Sequence, residues 1–543
     1  MSAQRMYVTP SWPFPASVRV LAAAAATLMI SACTTVQVDK PELAVEVPQQ
    51  FDSVNPTTAQ GSKDIAQWWQ QLEDPVLSGY IEEGLRQNVD VRIALARIKE
   101  ARAFHGMAES AYYPSVDAVA GAGRTRQTGG VPIPDANNGT TFPGNLPFPL
   151  PGNLVPSLPD NLSMPQGNSH AYGLTATWEV DVFGARHSDA EMVSQLIQGA
   201  HEQEHGAQLM VASDIATRYF EARGVEKRMR ILERAIYVAE RGVKYAQGRF
   251  RSGQTEAAEM ARAEMMLRDA QSKVEPLKAL LASHLRRIAV LMGKPPQSLT
   301  ELPPMPPGAR RPPSLPAVMP GDVLARRPDV RGVERKVRAQ MAKVGSARAE
   351  LFPKFYIGMG TSAGRIHPDD MEGYNFGTQT LGVGLRLPIF TAGRIRANIA
   401  ANEAQLEGVA LEYEKTVLGA LEDVENVYNA HHAYTSRVAY LSQSADLAHQ
   451  FARERMALFG AGQSLLQAAL EAQADALERE DDATVAEVEL NTHTVLLYKA
   501  LGGGWSDQPV KSVKSADAPA KQAEVEAKPM DENVKPAEVA AVP

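Results

Sequence analysis

Two stretches of this chain alternate strictly between apolar and polar or small residues, then run without interruption into long helix-forming tracts. In the first, Tyr172 to Glu191, Leu174, Ala176, Trp178, Val180 and Val182 fall on one face, and Gly173, Thr175, Thr177, Glu179 and Asp181 on the other. The second, Thr380 to Gln405, sets Leu381, Val383, Leu385 and Leu387 against Gly382, Gly384 and Arg386. A strand of roughly ten residues with one apolar and one wet face suits the wall of a membrane barrel. A half-buried strand of a soluble sandwich alternates in the same way, so alternation alone leaves both open.

The duplication extends well beyond these stretches. Asp90-Val91-Arg92 matches Asp329-Val330-Arg331, and Tyr112-Tyr113-Pro114 matches Leu351-Phe352-Pro353, at one offset (329 − 90 = 353 − 114 = 239). Each proline disfavours helix in the residue before it, so a helix is expected to stop there and a strand to begin. The later halves match at a second offset (428 − 219 = 462 − 253 = 502 − 293 = 209). Ser188–Phe250 and Ile395–Phe459 carry apolar residues at helical spacing over about 60 residues, roughly 90 Å, which calls for coiled-coil-like partners. Each is expected to turn at a glycine and return as a second long helix, to Met292-Gly293 or Leu501-Gly502. The fold class expected is therefore mainly α with β: two internal repeats, each with two strands and one long antiparallel helical hairpin. Residues 68–298 form the first repeat, 299–320 a Pro-rich link in which Asp322, just beyond, caps the next helix, and 321–505 the second. The tail, 506–543, lacks aromatics and reads as disordered.

A content of 44% hydrophobic residues can bury a large core, and the net charge of −8 without a basic run argues against nucleic acid as partner. Cys33 is the single cysteine, which excludes a disulfide framework. It ends the run Ile30-Ser31-Ala32-Cys33 behind Arg19 and an apolar tract, Val20–Ile30. That reads as a bacterial lipoprotein signal peptide over 1–32, with diacylglycerol and an N-acyl chain such as palmitate on Cys33. A plain signal peptide with a chance cysteine, or a short N-terminal anchor, is the alternative. Thr34, in place of Asp, directs such a lipoprotein to the outer membrane, and 33–67 reads as an extended arm. No later segment is apolar enough to span as a helix, so any crossing must use strands.

Four strands cannot close a barrel, and open edges are intolerable in lipid. Several copies must then share one barrel, with their helices forming a tube beneath it. The chain resembles the TolC-like outer membrane efflux factors, in the lipoprotein subgroup serving resistance-nodulation-division pumps. The likeness rests on Leu324-Ala-Arg-Arg-Pro-Asp-Val330, the two Pro-ended motifs above, Trp178-Glu-Val-Asp-Val-Phe-Gly184, Leu387-Pro-Ile-Phe-Thr-Ala-Gly-Arg394 and the Phe-x-x-Gly turns at Phe250 and Phe459. The resemblance implies a homotrimer with a twelve-stranded barrel in outer membrane lipid, a periplasmic α-barrel, a periplasmic adaptor and an inner-membrane pump as partners, and passive export of small toxic compounds. It implies no enzyme activity and no cofactor beyond the lipid. A lipid-anchored coiled-coil scaffold without a spanning barrel is the competing reading.

The resemblance also places Phe250, Gly253, Phe459 and Gly462 at a tip that meets the adaptor, although Gly ends helices without any partner. Glu471 falls where relatives carry a gate acid, but their pairing Arg is replaced here by Ala474. Glu179 and Asp181 are expected to face the lumen. His201-Glu202-Gln203-Glu204-His205 matches the H-E-x-x-H of zinc peptidases. Lying mid-rod without a third ligand or a repeat counterpart, it reads as a chance match. No phosphate loop or nucleophile elbow is present.

Overall fold

The computed structural model describes residues 38–41, 45–52, 65–125, 167–304, 316, 318–369 and 372–505. The expected signal peptide, Cys33, most of the Pro-rich link and the tail lie outside these residues.

Local sequence sets the element ends. Asp74 accepts from the amides of Val76 and Leu77 at 2.9 and 3.1 Å, and Pro75 opens helix α1 (Pro75–Gln87) where its missing N–H is harmless. Asn88 caps α2 (Val89–Ser110) and donates to the Leu291 carbonyl at 2.8 Å. Strand β1 (Ser115–Thr125) starts directly after Pro114, and β2 (Gly167–Val180) leads through Gly184, at φ +75°, into α3 (Ala185–Arg251). The same order recurs with α6 (Pro320–Arg326), α7 (Pro328–Ala349), β3 (Lys354–Pro368), β4 (Tyr374–Arg386) and α8 (Arg394–Gly460), the last preceded by Gly393 at φ +83°. Helices α3 and α8 have 67 residues each, about 100 Å at the standard rise.

Trp68-Trp69 open a short 3-10 turn, Trp68–Leu72, before α1. Strand β3 ends at Pro368 and β4 begins at Tyr374. Two expectations are corrected. Asp322 lies inside α6, whose cap position is Met319. The return arm of the first hairpin is two helices, α4 (Ala257–Ser272) and α5 (Val274–Leu291), whereas the second returns as one, α9 (Leu466–Ala500). Pro276 explains the break, because it has no N–H for the Ser272 carbonyl four residues back.

The strands form one antiparallel sheet in the order β1-β2-β3-β4, leaving β1 and β4 as edges. Its register places Val180, Phe355 and Leu385 in one row, Trp178, Ile357 and Val383 in the next, then Val116, Ala176, Met359 and Leu381. All share one face, and Leu381 and Val383 are 75% and 76% exposed. The opposite face carries Glu179, Tyr356 and Gly384, then Thr177, Gly358 and Gly382. The apolar side of this sheet therefore has no cover among the described residues.

The core sits where the short helices meet the rods. Trp68 stacks on Tyr498 at 5.1 Å, and the Tyr219 hydroxyl donates to Asp74 at 2.6 Å. Burial and this carboxylate raise the Tyr219 pKa. Tyr428, its counterpart at the offset of 209, donates to the Pro316 carbonyl at 2.8 Å. Helix α9 packs against both α8 and α3. At Gly224 a Cβ would collide with Val488, so glycine permits that approach. Ion pairs align the rods: Arg228 grips Asp481 through two bonds of 2.9 and 3.0 Å, and Glu480 accepts from Arg234 of α3 and lies 3.0 Å from His449 of α8. The arm residues run along α7 and α8. Val38 packs by Val337, Val344 and Leu406, toward the sheet, and Phe51 enters the core beside Tyr428.

The Arg326-Arg327-Pro328-Asp329 segment locks these parts together. Arg327 is hydrogen-bonded to Asp329 at 2.7 Å and Asp423 at 3.0 Å, and reaches the Ala500 carbonyl at the end of α9. Burial would raise the Asp329 pKa, but the Arg327 guanidinium holds it below the usual value. Arg326 donates to the Gly502 carbonyl at 3.2 Å. Arg327→Ala should cost roughly 1–2 kcal/mol, because it removes bonds to two partly exposed acids and leaves a helix-end carbonyl without its donor. Thermal unfolding followed by helical circular dichroism would show the loss, and an unchanged melting temperature would refute the clamp.

Candidate functional site

At the far end of each hairpin the chain turns through one motif. The Gly253 N–H donates to the Phe250 carbonyl at 3.0 Å and the Gln254 N–H to Arg249 at 2.9 Å. Gly462 and Gln463 do the same to Phe459 and Leu458, both at 2.9 Å. These paired bonds close the helix ends, with the glycines at φ +72° and +76°. A Cβ at either glycine meets nothing within 4 Å, so backbone conformation and not space requires Gly. Phe250 and Phe459 are 42% and 37% exposed.

Behind the first tip, α3, α4 and α9 enclose an apolar cleft of about 160 Å³ lined by Val238, Tyr245, Met266 and Leu470. Glu471 sits on its rim, exposed, and accepts from Gln467 at 3.2 Å. Gln467 also reaches Glu259 at 3.4 Å. Ala474 packs with the Ile231, Val238 and Leu477 cluster. The chain brings Glu471 close to other polar groups but supplies no direct cationic partner by hydrogen bond or ion pair among the described residues.

The two acids near the sheet are not alike. Glu179 lies in β2 on the polar face and pairs with Arg186 at 2.9 Å, which compensates its charge. Asp181 lies one residue beyond the strand, a correction to its expected place in the wall, and accepts from the His187 amide at 2.8 Å. It thus helps close the first turn of α3.

The H-E-x-x-H segment has a structural occupation. Glu202, fully within the packed interior, pairs with Arg331 at 2.7 Å and lies 3.2 Å from His205. His205 stacks on Trp505 at 4.1 Å, and Arg331 covers the same ring at 5.0 Å. His201 points elsewhere, to Arg102 at 3.4 Å. The motif ties α3 to α7 and to the end of the second repeat. Among the described residues no group of three or more His, Cys, Asp and Glu is placed to hold a metal ion.

Sequence reasoning missed a histidine cluster between α8 and α9. His431 is buried, with His432 and His493 near it, and His493 stacks on Tyr434 at 4.2 Å. Burial first, then the neighbouring imidazoles, push the His431 pKa down to about 4. His493 is lowered by burial, opposed by Glu489, which Arg437 engages. His431 and Thr435 are one helical turn apart, with the Thr435 hydroxyl donating to the His431 carbonyl at 2.8 Å. Only the apolar setting of His431, spread over two helices, could have signalled this.

Comparison with known proteins agrees with this architecture. A family model described as outer membrane efflux protein matches residues 80–294 and 319–503. The chain is 26% identical over 493 residues to the pyoverdine export outer membrane protein OpmQ of Pseudomonas aeruginosa, covering 90% of this chain and 98% of that protein. It is 26% identical over 444 residues to the solvent efflux pump outer membrane protein SrpC of Pseudomonas putida, covering 80% and 87%. Among solved structures, the outer-membrane channel OprN superposes with a TM-score of 0.72 at 26% identity, over 87% of this chain and 100% of that one. The Neisseria gonorrhoeae MtrE outer membrane channel in its open state shares the fold, with a TM-score of 0.70 at 22% identity, over 87% and 98%.

Two outcomes follow from the geometry. Gly253→Ala and Gly462→Ala should each cost about 1 kcal/mol, since a Cβ is penalised in the left-handed region. Faster amide exchange confined to the turns would register it, and unchanged exchange would count against the assignment. His431 is held neutral when folded, so its contribution is complete above the ordinary value of 6.5 and is lost as pH falls toward 4. Between pH 7 and 4.5 the native chain should lose about 2 kcal/mol more than His431→Leu in denaturant titrations. Parallel losses would remove the histidine from the account.

Proposed function

The chain belongs to the outer membrane efflux protein family, and from that premise we propose that it is the outer membrane channel of a tripartite efflux assembly. It passes small toxic compounds, delivered by an inner-membrane pump through a periplasmic adaptor, to the exterior. It works in the outer membrane and extends into the periplasm. The channel performs no chemistry of its own; the pump supplies the energy.

The observation that carries this reading is the sheet. It has one apolar exposed face, one polar face and two open edges, and lipid accepts such edges only when they are paired. Three copies would contribute four strands each to a closed barrel of twelve, and the paired rods would continue it as a helical tube. No described helix is long and apolar enough to cross a membrane. The arm supports an anchor on Cys33: Val38, five residues on, packs in the half of α7 that leads into β3. A diacylglycerol and an N-acyl chain there would hold the start of the arm beside the bilayer.

The Phe250 and Phe459 turns are the surfaces offered to the adaptor. Three Glu471 carboxylates in one narrow bore would repel each other and favour cations there.

Purified protein in planar bilayers should conduct and should run as a trimer by native mass; electrically silent trimers would favour a periplasmic scaffold instead. Glu471→Ala should raise conductance of the resting channel several-fold, and an unaltered resting current would remove Glu471 from the gate.

A further inference from the structure

Charge on the apolar face of the sheet is confined to one end. All four strands meet helices at the other end: Ser115 and Lys354 follow α2 and α7, and Val180 and Arg386 lead into α3 and α8. The end at Thr125, Gly167, Pro368 and Tyr374 is thus the one remote from the rods. The register gives the apolar face five successive rows without a charged side chain, from the row of Val180 and Phe355 up to that of Tyr172 and Ala363. The next row sets His170 opposite Arg365, and the one beyond it carries Arg124, Asn168 and His367 on three neighbouring strands. Arg124, His170, Arg365 and His367 are all exposed.

The spacing matches a membrane. From Val180 to His170 is ten residues (180 − 170 = 10), roughly 34 Å along the strand and roughly 26 Å in depth at a tilt of about 40°. The apolar band of a membrane barrel is about 25 Å tall, with aromatic residues at its borders. Tyr172, 63% exposed, stands one row below His170, at that border. An arginine on the lipid face is costly at mid-depth and tolerated at the interface, so these side chains sit where headgroups begin. From this we propose that Arg124, His170, Arg365 and His367 form an outward-facing site for the phosphorylated headgroup of an outer-leaflet lipid. The site rests on the shared-barrel reading above, which turns this face to lipid and this end to the exterior.

The chemistry of the four side chains selects phosphate. Arg365 makes no ion pair among the described residues. Arg124 has Asp369 at 3.5 Å, with the two side chains 56% and 45% exposed, a contact that water weakens and a phosphate can replace. Glu372 is the other acid of that connection among the described residues. Each guanidinium matches phosphate oxygens with paired N–H donors, and each imidazole adds a ring N–H. Neighbouring strands lie about 4.8 Å apart, so Arg124 on β1 and Arg365 on β3, one row apart, are separated by roughly 12 Å at the backbone. That span suits two phosphates on one headgroup, one held by Arg365 with the histidines and one by Arg124. A lipid, unlike a free phosphate, also covers Tyr172 and Leu174 directly below, 63% and 51% exposed.

Lipid A, two phosphates on an acylated glucosamine disaccharide, is a suitable probe, added to the full-length protein in detergent and counted by native mass spectrometry. The native protein should retain it in preference to phosphatidylcholine, and Arg124→Gln combined with Arg365→Gln should retain about fivefold less. Monophosphoryl lipid A should be retained to an intermediate degree. Arg386→Gln, on the opposite face at the rod end, should bind as the native chain does. Arg365→Gln alone, with a loss of about threefold, keeps the test available if the double variant does not insert. Equal retention of lipid A by the native chain and the Arg124 and Arg365 variants would overturn the site, and displacement by equimolar inorganic phosphate would make it an anion site without a lipid. Conductance of the same samples separates the two readings. Conducting trimers with equal retention would sink the headgroup site alone, whereas an electrically silent native protein would sink the shared barrel beneath it.

Discussion

Everything in this molecule answers to the unpaired backbone at the two margins of a four-stranded sheet. A strand margin in water can be tolerated with charges or a short length; β1 and β4 are long, and along their apolar rows the one charge is Arg124, at the end of β1. Leu381, Val383 and Leu385 stand exposed beside donors and acceptors that no described strand reaches. In the proposed channel the apolar side meets hydrocarbon and the margins meet other strands. The long rods would then hold that shared wall in register from below.

That holding is done mainly by arginine. Arg327 and Arg331 leave the start of α7 in different directions, one to the middle of α8 and the end of α9, the other to Glu202 and Trp505 on the far side. Each guanidinium meets acceptors or a ring from separate elements, which a lysine ammonium could not reproduce with the same geometry. One of the segments that carry the likeness to the efflux channels is thus also the junction of the two halves. Its pattern is a requirement of assembly, with no contact to any transported compound implied.

Much of the architecture was legible because its determinants are local or periodic. The prolines at 114 and 353 stop helices and start strands, the alternation sets the faces of β2 and β4, and the Gly turns at 253 and 462 close the hairpins where the offsets put them. What escaped is what depends on partners distant in sequence. Glu179 reads as a free lumen acid until Arg186 is seen against it, and Asp181 reads as wall until β2 stops at Val180. The H-E-x-x-H spacing is the clearest case: helical periodicity puts His201 and His205 on one side, but Arg331, over a hundred residues later, claims the glutamate between them. The Pro276 break could have been read from sequence, had the strength of the repeat not encouraged the two hairpins to be treated as equal.

That inequality has a mechanical corollary. One hairpin returns as a single unbroken lever, α9, clamped along its length by Arg228, Arg234 and Lys227; the other returns with an elbow between α4 and α5, and α4 buries none of its residues fully. Torque applied at the two tips is therefore transmitted unequally, rigidly through one and with slack through the other. In the proposed trimer such pairs would alternate stiff and compliant staves, and the ring would dilate like an iris whose alternate leaves move first.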